Sequence, residues 1–353
     1  MRIVVKIGSS SLTTKQQIDA SKLQDHVDAV AFLKKLGHEV IIVSSGAVAA
    51  GFKRLGYPSR PVTIKGKQAA AAIGQSILIQ HYSDLFTSHN LYVAQLLLTR
   101  DDFTQKKRYQ NAHATLAELL ERNIIPIINE NDTVSIAELT FGDNDMLSAL
   151  VAAHMHADFL MILTDINGLY TDNPNTNKAA IRINFVEDIS DQLLTMASDT
   201  SSSVGTGGMT SKLTAAKYAI ENGVHTFIGT GYGQEKLYDI MNYAGDGTYF
   251  KKKVEYNRSI KRWLTLTESN GTIFIDAGAN EAIVNGGKSL LVTGITHCTG
   301  HFEQGDVVDV CYHDQIVGRG EIECSFYELT ELINDTNKKR SKVIIHRDAW
   351  VKL

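Results

Sequence analysis

The chain has 353 residues, 43% hydrophobic and 21% charged, which is enough for a full-sized core and for two domains. A formal net charge of -4 gives no global reason to expect a nucleic-acid or membrane partner. Cys298, Cys311 and Cys324 are widely spaced with no CxxC pair, which argues against a disulfide framework or a zinc cluster and fits a reducing compartment.

The chain opens directly on an apolar strand, without a charged and apolar leader, and no apolar run reaches about 18 residues. A cytoplasmic location is therefore the expectation. That first run, Ile3 to Ile7, breaks into Gly8-Ser9-Ser10. Three others share its shape: Val40 to Val43 before Ser44-Ser45-Gly46, Ile124 to Ile128 before Asn129-Glu130-Asn131-Asp132, and Phe159 to Leu163 before Thr164-Asp165. Unbroken apolar runs suit strands of a parallel sheet covered by helices on both faces. Between them the spacing predicts helices over 21–36, 65–89, 104–122, 144–156 and 210–222, the first stopping at Gly37 and the last at Gly223. Further strands are expected near 92–98 and 224–230. The alternation is that of an α/β fold, whose ligands sit beyond the carboxyl ends of the strands. After about residue 245 the texture changes to short strands, 272–276, 307–312 and 343–346, separated by Gly and Asn turns, which reads as a small mostly β unit.

Three signals carry chemistry. Lys6, ending a buried strand two residues before Gly8, suits a bound phosphate, because a glycine lets backbone amides approach an anion. A surface lysine is the plain alternative. Gly205-Thr206-Gly207-Gly208-Met209-Thr210-Ser211-Lys212 leads into a helix and offers N–H donors and the positive end of a dipole to a phosphate chain. It is neither a P-loop nor a GxGxxG fingerprint. A mobile Gly/Ser linker would account for the glycines but not for Lys212. Asn129-Glu130-Asn131-Asp132 and Gly142-Asp143-Asn144-Asp145 gather carboxylates and amides able to hold an ammonium and orient a polar ligand. N-capping by Asp143 accounts for one residue of the second group. Among the 12 histidines no nucleophile or metal arrangement stands out, and the metal ligands stay open. Together the signals indicate phosphoryl transfer from a nucleotide to a small zwitterionic acceptor, which demands positioning and cations about the transferring group. Lys6 and Lys212 are the candidate cations, with Asp165 expected to hold both by charge pairing.

Six ordered motifs resemble those of the glutamate 5-kinase family of the amino acid kinase superfamily. They are Lys6 to Ser10, Ser44 to Gly51, Ile128 to Asp132, Phe141 to Asp145, Leu163 to Tyr170 and Gly205 to Lys212. The C-terminal part resembles a PUA domain, with Arg262-Trp263, Ser289-Leu290-Leu291 and His346-Arg347-Asp348. The resemblance implies a three-layer αβα sandwich with a mainly parallel sheet over 1–250, and a small mostly β PUA domain over 257–353. It implies transfer from ATP, with Mg²⁺, to L-glutamate, giving L-glutamyl 5-phosphate on the way to proline. Carried onto this sequence, Lys6, Asp165 and Lys212 are catalytic, and Ser45, Asp132, Asn144 and Asp145 bind glutamate. Lys6, Gly8, Thr164, Asp165, Thr206, Gly207, Gly208, Met209, Thr210, Ser211 and Lys212 line ATP. A dimer or tetramer and feedback inhibition by proline are further implications.

Departures from the family pattern are small: Ser211 where threonine is frequent, Phe141 before Gly142, and Val292 where proline is common. PUA domains often bind RNA, but from residue 257 onward 11 Lys+Arg face 13 Asp+Glu, whereas a phosphate-binding surface is normally positive. An RNA-binding module, or a superfamily kinase for aspartate, N-acetylglutamate, carbamate or a nucleoside monophosphate, are the alternative readings.

Overall fold

The apolar runs of the first 250 residues are strands, and the periodic segments between them are helices. In chain order the elements are β1 (Arg2–Ile7), α1 (Ala20–Lys35), β2 (Glu39–Ser44), α2 (Ile64–Thr87), β3 (Val93–Leu98), α3 (Lys106–Glu121), β4 (Ile125–Glu130), α4 (Asp145–His154), β5 (Phe159–Leu163), β6 (Phe185–Val186), α5 (Met209–Glu221), β7 (His225–Gly229), α6 (Lys236–Met241) and β8 (Gly247–Phe250). The computed structural model describes the chain apart from residues 135–143, 173, 175, 191–192, 195–207, 252–263, 266 and 335–341. It divides into two compact units, Met1–Asp102 with Gln110–Tyr256, and Phe103–Tyr109 with Asn257–Leu353. The single helix expected over 104–122 is instead a turn, Asp101–Thr104, followed by α3.

In the larger unit eight strands form one sheet in the order β6-β8-β7-β5-β1-β2-β4-β3. Its pairs are parallel except for β7 with β8. Register brings the carboxyl ends level. Ile7 lies beside Ser44 and Leu163, Leu163 beside Gly229, and Val43 beside Ile128. The polar tails therefore share one edge.

Side chains alternate across a strand, so each face of the sheet takes every second residue. Ile3, Val5 and Ile7 pack with Ile42, Met161 and Leu163 beneath α1, α2 and α6. The opposite face, carrying Val4 and Lys6, is covered by α4, which also packs on α5. This parity makes the three layers, and it sends Lys6 to the α4 side while Ser44 and Asn129 face α2. Asp19 starts α1, accepting from the amides of Ser21 and Lys22 at 3.0 and 3.3 Å.

One close approach binds α2 to the polar edge. After Ser45 the chain turns through Gly46, at φ +108°, into a short helix Ala47–Gly51 that lies directly against α2. A Cβ added to Gly74 would sit 1.7 Å from the carbonyl oxygen of Ala47.

The second unit contains β9 (Gly271–Ile275), β10 (Leu290–Leu291), β11 (Ile295–Gly300), β12 (Val307–Tyr312), β13 (Gln315–Ile322), α7 (Phe326–Asn334) and β14 (Val343–Lys352). They form a sheet in the order β10-β14-β13-β12-β9-β11, antiparallel except for β9 with β12. Its core gathers Ile273, Val308, Val310, Ile322, Ile344 and Trp350, with Leu329 of α7. Cys298, Cys311 and Cys324 are all free, and burial pushes the Cys324 thiol up to about 11.

Gly74→Ala tests the α2 contact. The clash is with backbone rather than a flexible side chain, so a loss of roughly 2–3 kcal/mol is expected, read as a fall in Tm or in denaturation midpoint. A variant as stable as the parent would show that the short helix is free to move away.

Candidate active site

The carboxyl edge of the sheet brings Lys6 and Lys212 to a single carboxylate, that of Asp145. Lys6 arrives from the end of β1 and is fully buried; Lys212 arrives from the first turn of α5 and is 6% exposed. Lys6 Nζ lies 2.7 Å from Asp145 Oδ1, an ion pair made off the hydrogen-bond axis. Lys212 Nζ donates to Oδ2 at 3.3 Å, and the Ser211 hydroxyl lies 2.8 Å from the same oxygen. Asp145 occupies the first turn of α4, where the helix dipole also favours a negative charge.

The charge pairing expected of Asp165 is thus made by Asp145. Asp165, following β5, accepts instead from the hydroxyls of Ser10 and Thr164, each at 3.1 Å. The reason is the parity of β1: Lys6 points to the α4 side of the sheet, where Asp145 begins a helix, and the tail of β5 runs past it. Asp145, assigned from the sequence to the acceptor, lies between the two lysines.

The N-cap of α4 also differs from the plain expectation. Asn144, at φ +30°, occupies that position and its side chain makes no capping bond. Its Nδ2 donates to the Ser44 carbonyl at 2.9 Å, to Asn129 Oδ1 at 2.7 Å and, more weakly, to Ser45 Oγ at 3.3 Å. Two strand tails, those of β2 and β4, are tied to one amide in this way. Phe141, Gly142 and Asp143 lie outside the described residues.

Ser45 is buried, its amide donating to the carbonyl of Ile7 at 3.1 Å. Asp132 lies two residues beyond β4, half-buried; desolvation, and secondarily the charge of Glu130, push its carboxyl up to about 6. Gly8 sends its amide to the Leu163 carbonyl, and a side chain there would come within 3.4 Å of Lys6 Nζ. Thr164 is held by its amide to the Gly229 carbonyl at 2.9 Å. Gly208 caps α5, Met209, Thr210, Ser211 and Lys212 form its first turn, and Thr206 and Gly207 lie outside the described residues. A cavity of about 310 Å³ opens at this edge, lined by Ser10, Thr164, Asp165, Thr230 and, from α1, Lys22 and His26. Burial holds the His26 imidazole neutral, its value pushed down to about 3.

Sequence reasoning passed over Asn129 as a site residue, and Gln75 and Tyr82 altogether. Asn129 Nδ2 donates to Gln75 Oε1 at 2.8 Å, and the hydroxyls of Ser44 and Tyr82 lie 2.9 Å apart. Asn129 stood in a quoted motif, whereas Gln75 and Tyr82 are interior helix residues with no local signal. Among the described residues no cluster of three metal-ligating side chains occurs.

Comparison with known proteins agrees with this geometry. The chain matches the amino acid kinase family over residues 1–230 and the PUA domain over 271–344. It is 52% identical to glutamate 5-kinase 1 of Bacillus subtilis, covering 99% of this chain and 98% of that protein. It is 51% identical to a glutamate 5-kinase of Bacillus cereus, covering 100% and 99%. Among solved structures, carbamate kinase from Giardia lamblia bound to AMP-PNP shares the fold at a TM-score of 0.51 and 14% identity, covering 71% of this chain and 98% of that one. The chain belongs to the amino acid kinase family and, within it, to the glutamate 5-kinases.

Asp132→Asn tests the strained carboxylate. The carboxyl is raised from 3.8 to about 6, so the folded state holds its proton more tightly and wild-type stability falls as pH rises through that window. At about pH 7.5 the substitution should therefore stabilise the fold by on the order of 2 kcal/mol, a gain that vanishes below about pH 4. A Tm that is unchanged or lower near neutrality would contradict the cost of burying this charge.

Proposed function

We propose that the protein transfers the γ-phosphoryl group of ATP to the γ-carboxylate of L-glutamate, giving ADP and L-glutamyl 5-phosphate, the first step toward proline. The meeting of Lys6 and Lys212 at Asp145 carries this reading, because two ammonium groups from distant parts of the chain are held at one point of the edge.

One carboxylate oxygen of glutamate attacks the γ-phosphorus; the new P–O bond forms as the bond to the ADP oxygen breaks. The attacking carboxylate is already ionised at neutral pH, so no side chain has to remove a proton. Catalysis then rests on alignment and on cations beside the equatorial oxygens. Lys6 and Lys212 supply those cations, and Asp145 fixes their separation. Asp165, with Ser10 and Thr164, shapes the nucleotide side, together with Gly8 and the turn from Gly208 to Lys212, whose N–H groups face an anion at the helix start. The same side includes Thr206 and Gly207 in this proposal. On the acceptor side Asp132 takes the α-ammonium of glutamate, while Ser45 and Asn144 orient its polar end.

A Mg²⁺ ion bound with ATP would be held mainly by phosphate oxygens, with Asp165 as a protein oxygen donor at that edge. When bound, it neutralises charge on the β- and γ-phosphates. Residues 1–250 form the catalytic domain in this proposal and 257–353 the PUA domain. Assembly into a dimer or tetramer through the catalytic domain, and feedback inhibition by proline, complete the reading.

Incubation with ATP, Mg²⁺, glutamate and hydroxylamine should yield γ-glutamyl hydroxamate, since hydroxylamine traps an acyl phosphate. Product with aspartate or a nucleoside monophosphate, but none with glutamate, would sink the substrate assignment. Lys212→Ala should lower kcat by roughly 10² to 10³, the usual cost of losing one contact to transition-state charge. Unchanged turnover would reduce the lysine to a buried structural cation.

A further inference from the structure

A line of buried amides runs from α2 to the acceptor side of the edge, and its polarity is set at both ends by the backbone. Asn129 Oδ1 accepts from the amide of Glu130 at 2.9 Å, which can only donate, so Asn129 must present its NH2 group to α2. Asn144 Nδ2 donates to the Ser44 carbonyl, which can only accept, so Asn144 turns its NH2 group inward. Gln75, facing Asn129 from the middle of α2, has therefore only its oxygen to offer, and Oε1 accepts the Asn129 amide at 2.8 Å. Its own Nε2 is buried and has no partner among the described residues.

That unpartnered donor separates a stabilising role from an orienting one. Leaving a buried N–H without an acceptor is unfavourable, and an apolar side chain of equal size would remove that penalty while exposing a similar one at Asn129 Nδ2. The two nearly cancel, so Gln75 adds little to stability. What it does supply is placement: the Glu130 amide already sets which way the Asn129 amide faces, and the Gln75 oxygen holds its Nδ2 end in position. Oδ1 then stays on Asn144, and the donor of Asn144 is used up within the protein. Its Oδ1, which bonds to none of the described residues, remains as the acceptor offered to a ligand.

We propose that Gln75 is a positioning residue for the acceptor pocket, acting through Asn129 to hold the Asn144 side chain in place. The proposal rests on the reading of Ser45, Asp132 and Asn144 as the acceptor side. Parity supports the assignment, because Asn129 is the last residue of β4 but one and faces the α2 layer, away from the lysines. Gln75 follows Gly74, where the short helix after Ser45 lies against α2, so the side chain issues from a point where α2 is held to the edge.

Gln75→Met and Gln75→Glu decide the matter in the full-length protein, by steady-state kinetics in both substrates alongside thermal unfolding. Methionine keeps the volume and removes the oxygen; glutamate keeps an oxygen for Asn129. Gln75→Met should raise KM for glutamate about tenfold, with KM for ATP within about twofold and Tm little changed, the pattern of lost acceptor binding alone. Gln75→Glu should restore KM for glutamate to within about threefold of the parent. An unaltered KM for glutamate in Gln75→Met overturns the proposal. So does a parallel rise in both KM values with a fallen Tm, which marks a merely structural residue. If Gln75→Met does not fold, a tenfold rise in Gln75→Glu overturns it equally. Should the parent phosphorylate another acceptor instead, the glutamate reading fails by itself, and Gln75 is judged by KM for the acceptor actually used.

Discussion

A fully buried carboxylate between two lysines is the constraint around which the catalytic unit is arranged. Removing such charges from water is costly unless partners and geometry compensate, and breaking one partner away leaves a charge stranded. Asp145 meets the requirement with Lys6, Lys212 and the Ser211 hydroxyl, drawn from β1, α5 and the start of α4. The two lysines and the carboxylate come from three different segments, so the arrangement exists only when the sheet and the layer above it are assembled. Folding and the formation of the site are in that sense one event.

The two faces of the sheet divide the work at the edge. On the side of α4 and α5 lie the charged groups. On the side of α2 lie neutral ones: Tyr82 beside Ser44, and Gln75 beside Asn129. Strand alternation is enough to explain the division, since Ser44 and Asn129 follow the parity of Ile42 and Ile127, both in the core beneath α2. Asn144 joins the sides. Its φ of +30° lets it begin a helix while its amide reaches two strand tails, those of β2 and β4. A carboxylate acceptor suits this arrangement, because it asks for orientation and charge but for no proton transfer.

The C-terminal unit has its own core and needs nothing from the site to explain its fold. Gly318 shows how: a Cβ there would come within 2.3 Å of the Trp350 ring, so β13 and β14 close only because that position lacks a side chain. Phe103–Tyr109 belongs to this unit although it includes the first residues of α3. Nothing in the periodicity of 104–122 marks that membership, since a helical stripe records that a face is covered and not by which domain.

The sequence by itself determined the element types, the parallel α/β class and the list of polar tails. Apolar runs of four or five residues and helical stripes ending in Gly37 and Gly223 are short-range patterns that need no partner to be read. It also supplied the two lysines, because a buried strand ending in lysine and a glycine-rich helix start are local features. Only the tertiary structure decided which carboxylate they share. Asp165 and Asp145 are equally plausible as residues on strand or helix ends; what separates them is the side of the sheet to which Lys6 points and the register of β1 against β5. The same holds for Gln75 and Tyr82, seven residues apart within one long helix: their role is set by the layer that α2 covers, and helix periodicity cannot name the strand beneath it.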